Sequence, residues 1–246
     1  MRVGRVLIHG REVPVTVLPN GALRTSDGAD IPKGEAVLLP PTSPSKIVCV
    51  GRNYVEHAKE LGNAMPERPL LFLKAPSAVL APGGRILLPE DSVQVEYEGE
   101  IALVVGRTCH RISDAQDPLA CLAGVTPLND VTARDLQRLD VQFTRAKSFD
   151  TFCPFGPWIE TEPDWENLTV TTEVNGRRVQ RARAAEMAFS IPALVRYVSR
   201  AMTLVPGDLI ATGTPSGVGR LSPGDRVAVE VAGIRLENSV AHWPAS

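Results

Sequence analysis

The sequence is poor in several features that mark common classes of protein. Among its 246 residues only four are cysteines, and no two of them form a Cys-x-x-Cys pair. They are widely scattered, at Cys49, Cys109, Cys121 and Cys153. This scatter argues against a zinc knuckle and against a redox-active dithiol, so we expect reduced thiols.

Strong charge of one sign and long apolar runs are also missing. The formal net charge is −2, which gives no electrostatic basis for binding nucleic acid. The longest apolar runs, such as residues 101–105, are far too short to span a bilayer, and residues 1–4 show no hydrophobic segment of a signal peptide. We therefore expect a cytoplasmic protein whose partners include neither nucleic acid nor membrane.

Three widespread catalytic or nucleotide-binding motifs are absent as well. The glycine-rich stretch 212–219 lacks the Gly-Lys-Ser/Thr ending of a P-loop and the spacing of a dinucleotide fingerprint. No Gly-x-Ser-x-Gly motif occurs, which argues against a serine hydrolase. The remaining use of this stretch is to aim backbone N–H groups and hydroxyls at a small anion.

The composition that is present suits a turn-rich, β-heavy fold. A hydrophobic fraction of 43% is ample for a core, and 20 glycines and 21 prolines punctuate the chain. Short strands with tight turns predict a small N-terminal β-subdomain over residues 1–45, which ends in a proline-rich linker. The main domain then spans residues 46–246. It contains a short helix with a capping box at residues 132–135, a hairpin at Asn175-Gly176 and a helix that opens at Ser190.

Three acids alternate along residues 95–105, a stretch whose second half has the branched, apolar character of a strand. Side chains two apart on a strand share a face, so Glu96, Glu98 and Glu100 are predicted to project to one side. Neighbouring like charges cost stability, and a divalent cation would turn that cost into a gain. The alternative is the solvated acidic face of an edge strand. Asp130, which follows an apolar run, suits either a turn or a third carboxylate ligand.

Two further candidates are a histidine–glutamate pair and a lysine. A helix is predicted from Asn53, as its N-cap, to Gly62, which places His57 and Glu60 on one face. They form either a surface pair or a general base whose tautomer and basicity a carboxylate controls. Lys147, in a basic segment flanked by aromatic residues, is either a solvated loop charge or a cation placed to meet a developing oxyanion.

Five motifs, over roughly residues 46–240, resemble those of the fumarylacetoacetate hydrolase superfamily and follow its order. They are Gly51-Arg52-Asn53-Tyr54 with His57 and Glu60, Glu98-Gly99-Glu100, residues 129–135, Ala146-Lys147-Ser148-Phe149, and Thr212-Gly213-Thr214-Pro215. The resemblance implies an α+β fold that is mainly β, with a mixed β-roll core and short peripheral helices, assembled as a homodimer. Residues 1–45 are not covered with similar specificity.

The resemblance also implies an active site. It implies Mg²⁺, or alternatively Mn²⁺, held by Glu98, Glu100 and Asp130, with Glu96 outside the ligand set. It implies catalytic roles for Lys147 and for a His57–Glu60 dyad on a mobile helical lid. Substrate contacts are implied for Arg52, Tyr54, Gly213 and Thr214.

The expected chemistry agrees with this donor set. Three carboxylates leave open positions on a divalent ion for a 2-oxo acid, whose enolate the ion would stabilise when a carbon–carbon bond breaks. We therefore predict hydrolysis of an acylpyruvate or fumarylpyruvate, or decarboxylation of oxaloacetate, with a small 2-oxo acid as partner. One alternative is isomerisation or decarboxylation of 2-hydroxy-dienoate diacids in aromatic degradation. The other is a non-catalytic, metal-stabilised binding module, against which His57, Glu60 and Lys147 argue.

Overall fold

The computed structural model describes residues 1–32 and 34–243, which form many short strands and a few short helices. The mainly β, α+β fold predicted from the sequence is confirmed. None of the described helices is long and apolar enough to cross a membrane.

Strands are numbered β1 to β21 and helices α1 to α4 in chain order. The strands are Arg2–Ile8 (β1), Arg11–Val17 (β2), Leu23–Thr25 (β3), Asp30–Ile31 (β4), Val37–Leu38 (β5), Ile47–Gly51 (β6), Leu70–Lys74 (β7), Val79–Leu80 (β8), Arg85–Leu88 (β9), Val95–Tyr97 (β10), Gly99–Val105 (β11), Leu122–Asn129 (β12), Thr132–Ala133 (β13), Cys153–Pro154 (β14), Trp158–Glu160 (β15), Thr169–Val174 (β16), Arg177–Arg183 (β17), Leu209–Ala211 (β18), Gly219–Arg220 (β19), Arg226–Val231 (β20) and Ile234–His242 (β21). The helices are Val55–Glu60 (α1), Arg134–Leu139 (α2), Thr144–Ser148 (α3) and Ile191–Ala201 (α4).

Two large sheets hold most of the strands. The first has the order β4-β3-β2-β1-β15-β12-β11-β18-β6-β7, with β5 also paired to β1, and the second has the order β17-β16-β20-β21-β9. Both sheets are mixed, because β18 runs parallel to β6 and β21 runs parallel to β9 among otherwise antiparallel pairs. Strands β16 and β17 form the hairpin predicted at Asn175-Gly176.

Strand β11 is buried along its whole length and contributes to both hydrophobic cores. Its side chains alternate, so that Ile101 and Leu103 join one buried cluster while Ala102 and Val104 join the other. This is the period of two that a strand imposes. Helix α4 packs on the first cluster, and its predicted start after Ser190 is confirmed. A strand covered on both faces gives the side chains at its end a rigid base.

The register between β11 and β12 brings two of the predicted acids together. Gly99 pairs with Asn129 in this antiparallel ladder, and Glu100 pairs with Leu128. Just beyond the ladder, the Asp130 N–H donates to the carbonyl oxygen of Glu98 at 2.8 Å. Acids that are far apart in sequence therefore emerge side by side at one end of the same strand pair.

The prediction of one continuous acidic strand is wrong. The chain changes its pairing partner at Glu98, since β10 belongs to a small sheet with β13 and β19 whereas β11 belongs to the first large sheet. Glu96 consequently meets Arg134, whose Nε donates to Glu96 Oε2 at 2.7 Å. Alternation along a sequence cannot show such a change of partner.

The predicted start of the first helix is also wrong. Helix α1 begins at Val55 and is not capped by Asn53. The Asn53 side chain is fully buried, and its Nδ2 donates to the carbonyl oxygens of Phe189 and Thr212. Asn53 Oδ1, the acceptor that an N-cap uses, is also occupied, because it accepts the Phe189 N–H at 2.8 Å.

Helix α2 begins at Arg134 without the capping box predicted for residues 132–135. The Thr132 hydroxyl donates instead to the carbonyl oxygen of Asp130 at 2.8 Å. Asp135 in turn accepts a hydrogen bond from the Ser92 hydroxyl at 2.6 Å. The polar side chains of this segment therefore tie it to its surroundings instead of closing the helix end.

Strands β1 to β5 extend the first large sheet. Strand β1 pairs with β15, which places Val3 opposite Ile159 and Gly4 opposite Trp158. A Cβ atom at Gly4 would lie 2.5 Å from Trp158 Cε3, so a glycine is required for this close approach. The division of the chain at residue 45 stays a prediction.

Candidate active site

The three acids predicted as metal ligands form a buried cluster. Glu98, Glu100 and Asp130 are 4%, 2% and 1% exposed, and one carboxylate oxygen from each lies within 4.8 Å of the others. The Glu98 N–H donates to the Asn129 side-chain oxygen at 2.9 Å, which ties the junction of β10 and β11 to the end of β12. The alternative of a solvated acidic face is therefore wrong for these residues.

Lys147 joins two of the acids. Its Nζ donates to Glu98 Oε2 at 2.8 Å and to Asp130 Oδ2 at 2.7 Å. The residue lies on α3 and is 2% exposed, and its ammonium lies 4.8 Å from the centre of the Phe72 ring. The alternative of a solvated loop charge is wrong, because this ammonium is enclosed by protein.

Two further cations, not singled out from the sequence, contact the same group of acids. Lys74 ends β7, and its Nζ donates to Asp130 Oδ1 at 2.7 Å. Arg134 donates through Nη2 to Glu98 Oε1 and through Nε to Glu96. A lysine that follows a run of apolar strand residues needs a partner if it is buried, and this was the sequence signal for Lys74.

The electrostatics of the cluster are unbalanced at Glu100. Burial raises the pKa of Glu100, and the Asp130 and Glu98 carboxylates raise it further, to well above its ordinary value. For Glu98, burial also acts to raise the pKa, but the Lys147 and Arg134 charges outweigh it, and the pKa lies below its ordinary value. The cations therefore leave the repulsion at Glu100 uncompensated. A divalent cation among these oxygens would relieve it, so the donor set fits such an ion.

The predicted His57–Glu60 pair lies on α1. His57 is 5% exposed, and its Nδ1 lies 3.4 Å from Glu60 Oε2. Glu60 also accepts a hydrogen bond from the Gly217 N–H at 3.0 Å, which ties α1 to the glycine-rich turn. A simple surface pair is therefore the wrong description of His57, whose ring is enclosed.

One cavity of about 220 Å³ unites these groups, since its lining includes His57, Lys147 and the three acids. Apolar side chains and further polar ones complete the lining, among them Phe72, Phe143, Arg134, Gln137 and Arg138. Pockets for drug-sized ligands usually measure ~300–1,000 Å³. The cavity therefore suits a smaller ligand, and its mixed lining suits an organic acid.

The four predicted substrate contacts are placed differently. Arg52 and Thr214 line the cavity. Tyr54 is 3% exposed and packs in the first core cluster instead. The Gly213 N–H donates to Glu100 Oε2 at 2.7 Å, so the anion that this turn meets is a carboxylate of the protein itself. The roles of these four residues toward a substrate stay predictions.

Comparison with known proteins assigns the family. The model of the fumarylacetoacetate (FAA) hydrolase C-terminal domain matches residues 46–241. The chain belongs to the fumarylacetoacetate hydrolase family. This membership confirms the resemblance drawn from the motifs.

Several members of the family are similar over most of the chain. A 5-carboxymethyl-2-hydroxymuconate delta-isomerase from Mycobacterium smegmatis is 41% identical, with a TM-score of 0.91 over 100% of both chains. A 2-hydroxyhepta-2,4-diene-1,7-dioate isomerase from Mycobacterium marinum is 39% identical, with a TM-score of 0.85 over 100% of both chains. A mitochondrial oxaloacetate tautomerase of Bos taurus is 41% identical over 214 residues, which are 82% of this chain and 68% of the relative. The protein is thus a member of a family of enzymes that act on small organic acids.

Proposed function

We propose that this protein is a divalent-metal-dependent enzyme that moves a proton on a 2-oxo diacid by way of its enol form. The observation that carries the proposal is one cavity whose lining includes three buried carboxylates, Lys147 and His57. Relatives named oxaloacetate tautomerase and 2-hydroxyhepta-2,4-diene-1,7-dioate isomerase support it. Tautomerisation and double-bond isomerisation both proceed by proton transfer, which is general acid–base chemistry.

Glu98, Glu100 and Asp130 would hold the metal. Carboxylate oxygens are the ligands that hard ions prefer, and this cluster offers neither sulfur nor nitrogen, so we propose Mg²⁺ with Mn²⁺ as the alternative. When bound, such an ion supplies Lewis acidity to the oxygens of a 2-oxo acid.

The formal charges of the buried groups favour an anionic substrate. Four carboxylates meet three cations here: Glu96, Glu98, Glu100 and Asp130, with Lys74, Arg134 and Lys147. A divalent cation therefore turns a small negative balance into a positive one. Arg52 and Arg138 add positive charge at the cavity lining. A diacid would meet complementary charge at both of its ends.

The protein's own groups would supply the proton transfer. We assign His57 as the base that takes a proton from the carbon beside the carbonyl and returns it at the alternative position. Glu60 Oε2, 3.4 Å from His57 Nδ1, would orient the imidazole and set its tautomer. Lys147 would donate to the substrate oxygen on which negative charge develops, because its ammonium is held in the cavity by two acids.

A second candidate is the carbon–carbon bond cleavage that the sequence analysis placed first. The observation that favours it is the same enclosed His57, since a histidine oriented by a carboxylate can activate a water for attack on the second carbonyl of an acylpyruvate. Decarboxylation of oxaloacetate needs no such water. The two candidates share the cavity and differ in what His57 deprotonates.

A panel of four compounds, assayed with and without Mg²⁺, tests the proposal. It contains oxaloacetate, acetylpyruvate, fumarylpyruvate and a 2-hydroxy-dienedioate. Proton NMR in D₂O follows deuterium incorporation beside the carbonyl and the appearance of cleavage products in the same sample. We expect Mg²⁺-dependent exchange on a diacid to be faster than any cleavage. Rapid cleavage of an acylpyruvate without prior exchange would favour the second candidate, and Mg²⁺ binding without any turnover would favour the binding module.

A further inference from the structure

Lys74 is a buried cation to which the proposed reaction assigns no proton-transfer or substrate-binding step. Its side chain is 0% exposed, and its Nζ donates to Asp130 Oδ1 at 2.7 Å and to the Val131 carbonyl oxygen at 3.1 Å. A buried ion pair is a weak source of stability, because the cost of removing both charges from water offsets their attraction. A contribution to stability therefore does not explain why a lysine is buried at this position. Its contact with Asp130 suggests another role.

The other two acids of the cluster each have one oxygen engaged in the same way. Arg134 Nη2 donates to Glu98 Oε1. The Gly213 N–H donates to Glu100 Oε2 at 2.7 Å. In all three carboxylates, a donor from a different segment of the chain thus occupies one oxygen.

The second oxygens of Glu98 and Asp130 face a different lysine. Glu98 Oε2 and Asp130 Oδ2 both accept the Lys147 ammonium, and Lys147 lines the cavity whereas Lys74 does not, so an ion in the cavity would share these two oxygens with Lys147. Glu100 Oε1 accepts no hydrogen bond from residues 1–32 or 34–243. Mg²⁺ takes six oxygen ligands and usually keeps several waters among them, so one oxygen from each of three acids would suit it. Ca²⁺ takes six to eight oxygens and readily accepts both oxygens of one carboxylate.

We propose that Lys74 is a positioning residue that restricts Asp130 to one ligating oxygen and thereby selects Mg²⁺ over Ca²⁺. The inference rests on the metal site of the proposed function. Without the Lys74 ammonium, Asp130 Oδ1 is free to become an additional ligand. An additional carboxylate oxygen favours the binding of Ca²⁺, which is the larger ion and takes more ligands.

Isothermal titration calorimetry with Mg²⁺ and with Ca²⁺ tests this in the wild-type protein and in Lys74→Met. We expect the ratio of the two affinities to move toward Ca²⁺ by about tenfold, the lower end of the effect of removing a hydrogen-bond partner from a metal ligand. A purely structural role would weaken the binding of both ions alike. An unchanged ratio therefore overturns the proposal.

Lys46 provides a matched control. Its ammonium also pairs with a buried aspartate, Asp208, but neither residue lines the cavity. Lys46→Met should leave the ratio of Mg²⁺ to Ca²⁺ affinities at the wild-type value. An equal shift in Lys46→Met would overturn the assignment to Lys74.

Two further measurements cover a Lys74→Met protein that does not fold. Lys74→Gln keeps an N–H donor without the charge, and it should shift the ratio in the same direction by a smaller factor. A crystal structure of the Mn²⁺-loaded wild-type protein needs no variant: we expect Asp130 to bind through Oδ2 alone, and a bidentate Asp130 overturns the proposal. Wild-type protein that binds neither ion would contradict the proposed function itself, whereas binding of both ions with an unmoved ratio removes only the role of Lys74.

Discussion

Two buried carboxylates in this protein have opposite surroundings. Asp208, immediately before β18, is fully buried and accepts hydrogen bonds from the N–H groups of Ser45, Lys46 and Val205 at 2.8–3.2 Å. It also pairs with the Lys46 ammonium. Burial acts to raise the pKa of Asp208, but these donors outweigh it, and the pKa lies below its ordinary value. This carboxylate is saturated with donors and ties β6 to β18.

Glu100 is buried to the same extent and lacks such partners. In the part of the chain that the structure describes, its carboxylate accepts only the Gly213 N–H, and it lies beside Glu98 and Asp130. Its pKa is raised well above the ordinary value, first by burial and then by these two acids. Burial alone therefore does not distinguish the surroundings of these two acids. Missing donors, neighbouring like charge and an adjacent cavity do.

The largest expected difference between the two acids is in metal binding. Glu100→Gln should abolish measurable Mg²⁺ binding, because it removes one of three carboxylate ligands, whereas Asp208→Asn should leave the affinity unchanged. Titration calorimetry measures both, and circular dichroism checks that both variants fold. An unchanged Mg²⁺ affinity in Glu100→Gln would place the metal site elsewhere.

Glu60 shares a feature with each of these carboxylates. Like Asp208 it accepts a backbone N–H, and like Glu100 it lies beside another titratable group, His57. If His57 is the base, His57→Ala should slow proton exchange or acylpyruvate hydrolysis by roughly 10²–10⁴-fold, the usual contribution of such a group. Decarboxylation of oxaloacetate should fall much less, and Glu60→Gln should have a milder form of the same effect. Assays of both activities in one preparation decide the matter. Equal losses in the two reactions would assign His57 to substrate binding or to closure of α1.

Lys147 in the cavity and Lys46 beside Asp208 can be compared in the same way. Removal of one donor to developing negative charge costs about 3 kcal/mol, or about two orders of magnitude in rate, so Lys147→Met should lower kcat by this factor. Lys46→Met should leave kcat unchanged, since Lys46 pairs with Asp208 outside the cavity. Steady-state kinetics at saturating Mg²⁺ measure both variants. Wild-type kcat in Lys147→Met would remove this residue from the reaction.

The smallest expected effect concerns the pH dependence of stability. The lowered pKa of Asp208 means that its ionised form stabilises the fold above the ordinary carboxyl pKa, and that this stability is lost as the pH falls through that value toward the folded-state pKa. Asp208→Asn should reduce the free energy of unfolding at neutral pH by about 1–3 kcal/mol and flatten its decline on acidification.

Glu100 should show the opposite sign in metal-free protein. A carboxyl group with a raised pKa destabilises the fold increasingly as the pH rises above its ordinary value. Glu100→Gln should therefore increase the free energy of unfolding at neutral pH and have little effect in acid. Urea unfolding at several pH values, with metal removed, measures both variants. A change of the same sign in the two variants would contradict the opposite surroundings of Asp208 and Glu100.

The features predicted correctly from the sequence depend on short stretches of chain. The hairpin at Asn175-Gly176 needs two residues that tolerate positive φ, and α4 needs only its Ser-Ile-Pro start and an apolar stripe. The family follows from five such short motifs. Each of these signals is complete within a few neighbouring residues, so no knowledge of distant partners is required.

The features that were missed depend on partners far away in the chain. Asn53 fails as a cap because its Oδ1 accepts the distant Phe189 N–H, and Lys74 gained its importance only from Asp130. The change of pairing at Glu98 likewise follows from which strands lie beside β10 and β11. None of these partners is close in sequence.

The amino-acid sequence by itself thus determined the family, the class of fold and the types of residue available for acid–base and metal chemistry. Only the tertiary structure decided which carboxylates have all their hydrogen-bond donors and which face a cavity. The physical reason is that the state of a buried charge depends on the donors and like charges around it in space. In this protein those groups lie on or next to β7, β11, β12, α2 and α3, which meet only when the chain is folded.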